Sequence, residues 1–179
     1  MGRDTELALL EQTFLHQSQH TIAIAQRQTI SGLGGIGKTV LAIKYAYLHH
    51  RNYQAVLWVR ANTTETLLTS FIDLARLLNL PEKDEPEATV IREAVKAWLQ
   101  IHDRWLLIFD NAEEPTLLHD FFPANVGGHI LITTRAQVVH GAISVDLDVL
   151  DEQTGALFLL HRSRPKSCIN VTLSSVSGI

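Results

Sequence analysis

A chain of 179 residues has the size of one ordinary domain and is long enough to bury a hydrophobic core. With 46% hydrophobic and 19% charged residues, its composition is typical of a globular protein and excludes a disordered one. The net charge of −4 argues against a nucleic-acid-binding protein, because proteins that contact the phosphate backbone need an excess of Lys and Arg.

The amino-terminal third of the chain predicts a helix, two strands and a second helix. Residues 6–15 carry apolar side chains at helical spacing. The β-branched stretches 21–25 and 28–31 are typical of strands, and the second runs directly into a glycine-rich loop. Beyond the loop, residues 38–51 predict a helix. Its apolar faces are supplied by Val40, Leu41, Ala42, Tyr45 and Leu48.

The middle of the chain predicts a strand between helices. Residues 55–59 are typical of a buried strand, and residues 62–80 predict a helix. Asn62 is its expected N-cap, with Glu65 three residues later as in a capping box. A charged, proline-bounded loop precedes another amphipathic helix, 88–101. The residues that this helix is predicted to turn toward a core are Val90, Ile91, Ala94, Val95 and Trp98.

The remaining elements are strands, followed by one helix. Residues 105–110, 129–134 and 143–150 predict strands, and residues 151–162 predict a short helix. Nearly continuous apolar strands separated by helices indicate an α/β fold with a parallel sheet covered on both faces. The Ser-rich residues 163–179 lack periodicity, so we expect a poorly ordered tail after a domain that spans residues 1–162.

The glycine-rich loop, GLGGIGKT, matches the P-loop pattern G-x-x-x-x-G-K-[ST] between a predicted strand and a predicted helix. Glycines let successive backbone N–H groups point at a phosphate, and the positive end of the helix faces the same anion. We therefore expect Lys38 to bridge phosphate oxygens and the Thr39 hydroxyl to ligate Mg²⁺. The predicted nucleotide-binding residues here are Gly32, Leu33, Gly34, Gly35, Ile36, Gly37, Lys38, Thr39 and Val40.

Two later strand ends supply further candidate residues. Asp110 ends an apolar strand, as the Walker-B acid that holds Mg²⁺ does. Arg135 follows a strand that ends in Thr133 and Thr134, and it could sense the γ-phosphate while one of these threonines hydrogen-bonds nearby. Because α/β sheets bind ligands at the carboxyl ends of their strands, Asp110 and Arg135 are expected to act with Lys38 as the catalytic set.

Together these motifs resemble the NB-ARC domain of the STAND class of P-loop ATPases. The matching segments are GRDTEL at 2–7, GLGGIGKT at 32–39, LLIFDN at 106–111 and ILITTR at 130–135, and the resemblance extends to about Arg162. It implies a three-layer P-loop fold with a parallel sheet of order 5-1-4-3-2. It also implies a cytoplasmic ATP/ADP switch that uses Mg²⁺ and takes part in signal transduction.

The resemblance implies partners and a position for the base as well. Gly2 and Arg3 correspond to residues that lie near the adenine in this family. An ATP-bound homo-oligomer and downstream repeat or effector domains, often tetratricopeptide repeats, are expected of a complete member. Since the helical and winged-helix subdomains of the family have no counterpart in the sequence, the chain is expected to be a truncated member.

Hydrolysis is the open part of this interpretation. Many family members carry a second acid after the Walker-B Asp, and here that position is Asn111, a poor proton acceptor. Glu113 or Glu114 could replace it as the base, or could be solvated residues before a helix. We expect slow hydrolysis. The alternatives are a small P-loop kinase or phosphotransferase that acts on a metabolite, and a nucleotide-binding fragment without activity.

Neither a membrane nor a disulfide is expected. The single cysteine, Cys168, cannot form an internal disulfide, which fits a reducing cytosol. The amino-terminal residues lack a signal peptide, and no apolar run is long enough to cross a bilayer. His16 and His20 have the spacing of two metal ligands on a helix, but surface histidines are far commoner than metal sites.

Overall fold

The computed structural model describes residues 3–16, 26–31, 36–124, 127–136 and 143–147. The strands in these ranges are β1 (Gln26–Ser31), β2 (Ala55–Arg60), β3 (Asp103–Ala112), β4 (Gly127–Thr134) and β5 (Ile143–Asp146). They form one sheet of order β2-β3-β4-β1-β5, in which every neighbouring pair is parallel. The prediction of an α/β fold with a parallel sheet is confirmed. Read from the β5 edge, the observed order is 5-1-4-3-2.

Four α-helices connect or precede the strands in the described ranges. They are α1 (Asp4–His16), α2 (Lys38–His49), α3 (Thr64–Leu77) and α4 (Ala88–Ile101). Short 3₁₀ helices follow at His50–Asn52, Pro81–Asp84 and Pro115–Phe121.

The helices cover both faces of the sheet. Trp105, Leu107 and Phe109 of β3 are buried in one hydrophobic cluster together with residues of α3 and α4. The alternate residues Leu106 and Ile108 are buried in a second cluster with residues of α1 and α2. Because successive side chains of a strand point to opposite faces, the sheet lies between two helical layers.

The parallel register brings the ends of three elements together. β3 and β4 are neighbours, and Ala112 of β3 pairs with Thr134 of β4. β1, which leads into the glycine-rich loop, pairs with the other side of β4, up to Ile30 opposite Thr133. The carboxyl ends of β1, β3 and β4 therefore share one edge of the sheet, at which polar residues from distant parts of the sequence can meet.

The N-cap of α3 differs from the prediction. The structure places Thr63 at this position instead of Asn62. The Thr66 N–H donates to the Thr63 hydroxyl over 3.2 Å, and the Thr63 N–H donates to the Thr66 hydroxyl over 3.0 Å. Thr63 is the residue with the extended backbone that an N-cap needs, and a threonine three residues later takes the role predicted for Glu65.

Three apolar residues are exposed, although Val90 was predicted to turn toward the core and Val40 and Leu48 were predicted to supply apolar faces of their helix. Val40, Leu48 and Val90 have 41%, 55% and 40% of their surface accessible to solvent. Each helix packs against the sheet on one side only, so a single stripe is buried. In α2 this stripe is Leu41, Ala42 and Tyr45, and in α4 it is Ile91, Val95 and Leu99.

Several predictions lie outside the described residues. They are the strand 21–25, the helix 151–162, the domain boundary at 162 and the tail 163–179. No helix in the described part of the chain is long and apolar enough to cross a membrane.

Candidate nucleotide-binding site

The helix that follows the P-loop motif begins in a way that suits an anion. Gly37 is the N-cap of α2 and has a φ of 99°, in the left-handed region that favours glycine. A glycine offers no side-chain oxygen to the N–H groups of the first turn, and this turn carries no acidic residue. The positive end of the α2 dipole therefore points at the space next to Gly37, where an anion could bind.

A cavity of about 220 Å³ opens at this helix start. Its lining residues are Ile36, Gly37, Lys38, Thr39, Val40, Asn111 and Arg135. The structure therefore brings the described half of the predicted P-loop set together with Arg135, which lies nearly a hundred residues later. Gly32, Leu33, Gly34 and Gly35 lie outside the described residues.

Asp110 is held beside this cavity by two hydroxyl groups. Thr39 Oγ1 in the first turn of α2 donates to Asp110 Oδ1 over 2.7 Å. Thr133 Oγ1 on β4 donates to the same oxygen, also over 2.7 Å. Hydrogen bonds to an ionised carboxylate are about twice as strong as neutral ones, so this carboxylate joins α2, β3 and β4.

Thr133 and Thr134 have different surroundings. The Thr133 hydroxyl, besides its bond to Asp110, accepts the backbone N–H of Asn111 over 2.8 Å. The Thr134 hydroxyl instead donates to the backbone carbonyl of Ala112 and accepts the N–H of Ala136. The sequence left open which threonine hydrogen-bonds at the site. The alternation of side chains along β4 selects Thr133.

Asn111 enters the cavity through an irregularity of β3. Its φ is 59°, and the pairing of β3 with β4 shifts register between Phe109 and Ala112. Asn tolerates this left-handed backbone better than most residues. Its Nδ2 donates to Glu113 Oε1 over 3.5 Å. The sequence marked Asn111 only as a substitution for an acid, whereas the structure makes it part of the cavity wall.

Two cations lie at the same cavity. Lys38 is buried with 9% of its surface exposed, and Arg135 is exposed. Burial lowers the pKa of Lys38, and the positive charge of Arg135 lowers that pKa further. Like charges that repel in a shared cavity are stabilised when an anion binds between them, so the electrostatics favour a phosphate.

Arg3 reaches the segment that leads into α2. Its guanidinium donates to the backbone carbonyl of Ile36 over 3.2 Å and pairs with Glu6 at 2.7 Å. The start of α1 is therefore anchored one residue before Gly37. Gly2, which was predicted to frame the base together with Arg3, lies outside the described residues.

The oxygen groups of this site fit a magnesium ion. The Thr39 hydroxyl and the Asp110 carboxylate are hard oxygen ligands, and Mg²⁺ is commonly held by one or two such groups together with substrate phosphates. The described residues contain no group of three or more His, Cys, Asp or Glu placed to hold a metal ion.

Comparisons with known proteins agree with this geometry. The family model described as "NB-ARC domain" matches residues 12–154. The chain is 30% identical over 130 residues to a "Nucleotide-binding leucine-rich repeat (NLR)-like protein" of Hyaloscypha variabilis, covering 62% of this chain and 13% of that protein. It is 31% identical over 134 residues to "Regulatory protein AfsR" of Streptomyces griseus, covering 69% and 13% respectively. The chain thus spans about an eighth of the length of these relatives.

Solved structures share the fold. Cdc6p of Pyrobaculum aerophilum superimposes with a TM-score of 0.57 at 18% identity, over 79% of this chain and 44% of that one. The ORC2 protein of Aeropyrum pernix, solved as ADPNP–ADP complexes, superimposes with a TM-score of 0.58 at 18% identity, over 91% of this chain and 52% of that one. At this identity the likeness shows the fold alone. The NB-ARC family model, by contrast, matches most of the length of this chain. This chain therefore belongs to the NB-ARC family of nucleotide-binding domains.

Proposed function

We propose that this domain is the ATP/ADP-dependent molecular switch of a signalling ATPase of the STAND class. One observation carries the proposal. The Asp110 carboxylate accepts the hydroxyl of Thr39 at the start of α2, while Lys38 and Arg135 line the adjoining cavity. This arrangement provides positive charge for phosphates and hard oxygens for a magnesium ion at one edge of the sheet.

Each residue has a distinct proposed role. Lys38 and the N-terminus of α2 bind the β- and γ-phosphate oxygens, and Arg135 contacts the γ-phosphate that distinguishes ATP from ADP. Thr39 and Asp110 would hold Mg²⁺, which when bound neutralises part of the phosphate charge. Arg3 positions the segment before α2 through the Ile36 carbonyl and is proposed to lie near the base. The proposed domain spans residues 1–162.

Turnover is proposed to be slow. The Asn111 amide is not a base, and it donates its Nδ2 proton to Glu113 at 3.5 Å. Glu113 and Glu114 are exposed, and neither is among the described residues that line the cavity. None of Asn111, Glu113 and Glu114 is therefore placed, among the described residues, to accept a proton from a water molecule next to the γ-phosphate. Nucleotide binding and exchange, more than hydrolysis, would set the state of the switch.

The signalling role is supported by the relatives. One of them is named a regulatory protein and the other an NLR-like protein, and both are about eight times longer than the matched segment. We propose that the ATP form assembles with further copies of the protein in the cytoplasm and that the ADP form is the resting state. In a longer protein, repeat or effector domains would read this difference.

The first test is to identify the nucleotide that accompanies the purified chain. The protein is denatured, and the released small molecules are separated by chromatography. Near-stoichiometric ADP or ATP is expected. An empty protein that also binds neither added Mg-ATP nor Mg-ADP would contradict the proposed function.

A second measurement addresses the switch itself. The elution volume in size-exclusion chromatography is compared with saturating ADP and with a non-hydrolysable ATP analogue. A larger species with the ATP analogue is expected. Identical elution with both nucleotides would leave a nucleotide-binding domain but remove the proposed ATP-dependent assembly.

A further inference from the structure

A second cavity, of about 370 Å³, opens at the opposite end of the strands, where β4 begins. His129 near the start of β4 lines it, together with Tyr45 from the second half of α2 and Tyr53 from the segment before β2. Since β4 runs from this end of the sheet to the edge of Thr133 and Arg135, the two cavities lie at opposite ends of the strands. A molecule in the second cavity would leave the nucleotide site free.

A chain of neutral polar groups runs through the wall of this cavity. The hydroxyl groups of Tyr45 and Tyr53 lie 3.1 Å apart, and the Tyr53 hydroxyl lies 2.7 Å from His129 Nδ1. Burial raises the pKa of Tyr53 to about 12 and lowers the pKa of His129 to about 4, so both groups are uncharged near neutral pH. His129 Nε2 has no hydrogen-bond partner among the described residues.

The same wall is built of aromatic rings. Phe14 stacks on His129 with ring centroids 4.3 Å apart and planes 15° apart. Tyr45 stacks on His49 with centroids 4.5 Å apart, and Phe14 lies 5.6 Å from Tyr45. Cavities of this size with aromatic walls and a few polar groups are typical of small-molecule sites, and flat walls favour a planar ligand.

Two exposed side chains of opposite charge also line the cavity. Glu11 on α1 and Arg104 at the start of β3 both line it. Glu11 lies 3.9 Å from His49, whereas no acidic group in the described ranges lies within ion-pair distance of Arg104. Arg104 has a φ of 52° at a register irregularity of β3, a conformation that is uncommon for a residue other than glycine. Such irregularities change the direction of a side chain from the one it would have in a regular strand.

We propose that this cavity binds a small zwitterionic molecule with a planar aromatic body, of the chemical class of the aromatic amino acids. The partly exposed rings of His49, Tyr53 and His129 receive the aromatic body, with the buried Phe14 packed behind His129 and His129 Nε2 as an additional polar contact. Arg104 binds the anionic group of the ligand and Glu11 binds the cationic group. The inference is independent of the nucleotide site, because it uses none of its residues.

The experiment uses four indole probes that carry both charged groups, the cationic group alone, the anionic group alone or neither. L-tryptophan, tryptamine, indole-3-acetate and indole are titrated into the complete 179-residue chain by isothermal titration calorimetry. L-tryptophan is expected to bind saturably and at least fivefold more tightly than either singly charged probe, with indole the weakest. Absence of saturable binding by L-tryptophan, or equal binding of indole, would overturn the proposal.

Two variants locate the charges. Arg104→Gly removes the guanidinium and suits the left-handed backbone, so the fold is retained. This variant should bind L-tryptophan and indole-3-acetate at least fivefold more weakly than the parent protein and bind tryptamine with unchanged affinity. Glu11→Gln should lower the affinity for L-tryptophan and tryptamine and leave the affinity for indole-3-acetate unchanged. Unchanged binding of L-tryptophan in both variants would overturn the assignment.

A control variant at the other edge separates the two sites. Lys38→Ala, with its fold checked by circular dichroism, should bind L-tryptophan as the parent protein does. Loss of L-tryptophan binding in this folded variant would place the probe at the nucleotide site and contradict the proposal.

Discussion

The hydroxyl of Thr39 lies 2.7 Å from the Asp110 carboxylate, although the two residues are 71 positions apart in the chain. This bond joins the first turn of α2 to the end of β3. Asp110 accepts a second hydroxyl, from Thr133 on β4, at the same oxygen. A carboxylate held from two sides keeps one orientation, which lowers the entropic cost of arranging it around a metal ion and a phosphate.

The lysine of the P-loop motif is the first residue to test. Lys38→Ala should reduce ADP and ATP affinity by at least a hundredfold, because it removes the buried positive charge of the cavity. The measurement is the dissociation constant from calorimetry with Mg-ADP. Lys44→Ala on the same helix is the matched control, since Lys44 pairs with Asp4 at the surface. Unchanged affinity in Lys38→Ala would remove this cavity as the nucleotide site.

Asp110 should govern the effect of magnesium. Asp110→Asn keeps the shape of the side chain and removes its charge, so ADP affinity in the presence of Mg²⁺ should fall about tenfold while affinity in EDTA changes little. Calorimetry with and without Mg²⁺ measures this difference. Asp103→Asn, at the exposed start of the same strand, should behave as the parent protein. An equally strong magnesium effect in Asp110→Asn would argue against metal binding here.

Arg135 should distinguish the two nucleotides. Arg135→Ala is expected to weaken the ATP analogue about tenfold and ADP less than twofold, because the proposed contact is to the γ-phosphate. Arg60→Ala provides the comparison, since Arg60 ends β2 at the same sheet edge but is not among the described residues lining the cavity. Equal losses for ATP and ADP would remove the sensor role.

Thr133 should contribute to stability as well as to the site. Thr133→Val conserves side-chain shape but leaves the Asn111 N–H without its hydroxyl acceptor, in a position where Thr133 has 1% of its surface exposed. The free energy of unfolding should fall by about 1–3 kcal/mol. Urea denaturation measures it. The exposed Thr69 of α3 is the control, because Thr69→Val should change stability by less than about 0.5 kcal/mol. If Thr133→Val also lowered the free energy of unfolding by less than about 0.5 kcal/mol, the Thr133 hydroxyl would not be needed for stability.

His129 predicts a pH dependence of stability. Burial lowers its pKa from 6.5 to about 4, so the unfolded chain binds a proton between these values and the folded chain does not. The stability contributed by the neutral imidazole is complete above pH 6.5 and is lost as the pH falls toward 4. The loss amounts to at most about 3 kcal/mol.

The pH dependence is measured as a difference between two proteins. His129→Asn removes the titrating ring, so its free energy of unfolding should fall less between pH 7 and pH 4.5 than that of the parent, by about 2 kcal/mol. His119→Asn, at an exposed position, is the control and should retain the parent's slope. Parallel curves for the parent and His129→Asn would show that the pKa of His129 is the same in the folded and unfolded chains, and would contradict the prediction.

Much of the site was readable from the sequence because its parts are local patterns. The P-loop motif, the acid at the end of an apolar strand and the Thr-Thr-Arg segment each lie within a few consecutive residues. In a parallel sheet, strand ends share an edge, so Lys38, Asp110 and Arg135 could be expected to meet. Helix faces were less predictable. Val40 and Leu48 are apolar but exposed. Apolar residues occur on more than one side of α2, so the sequence did not indicate which side packs against the sheet.

The sequence by itself determined the α/β class, the alternation of strands and helices and the motifs of the nucleotide site, since each depends on side chains that are neighbours in the chain. Only the tertiary structure decided that Thr133, rather than Thr134, holds Asp110, because this choice depends on the register of β3 and β4. The second cavity is likewise a tertiary feature. Phe14, Tyr53 and His129 belong to three separate segments, and no local spacing relates residues that meet only when a helix, a loop and a strand pack together.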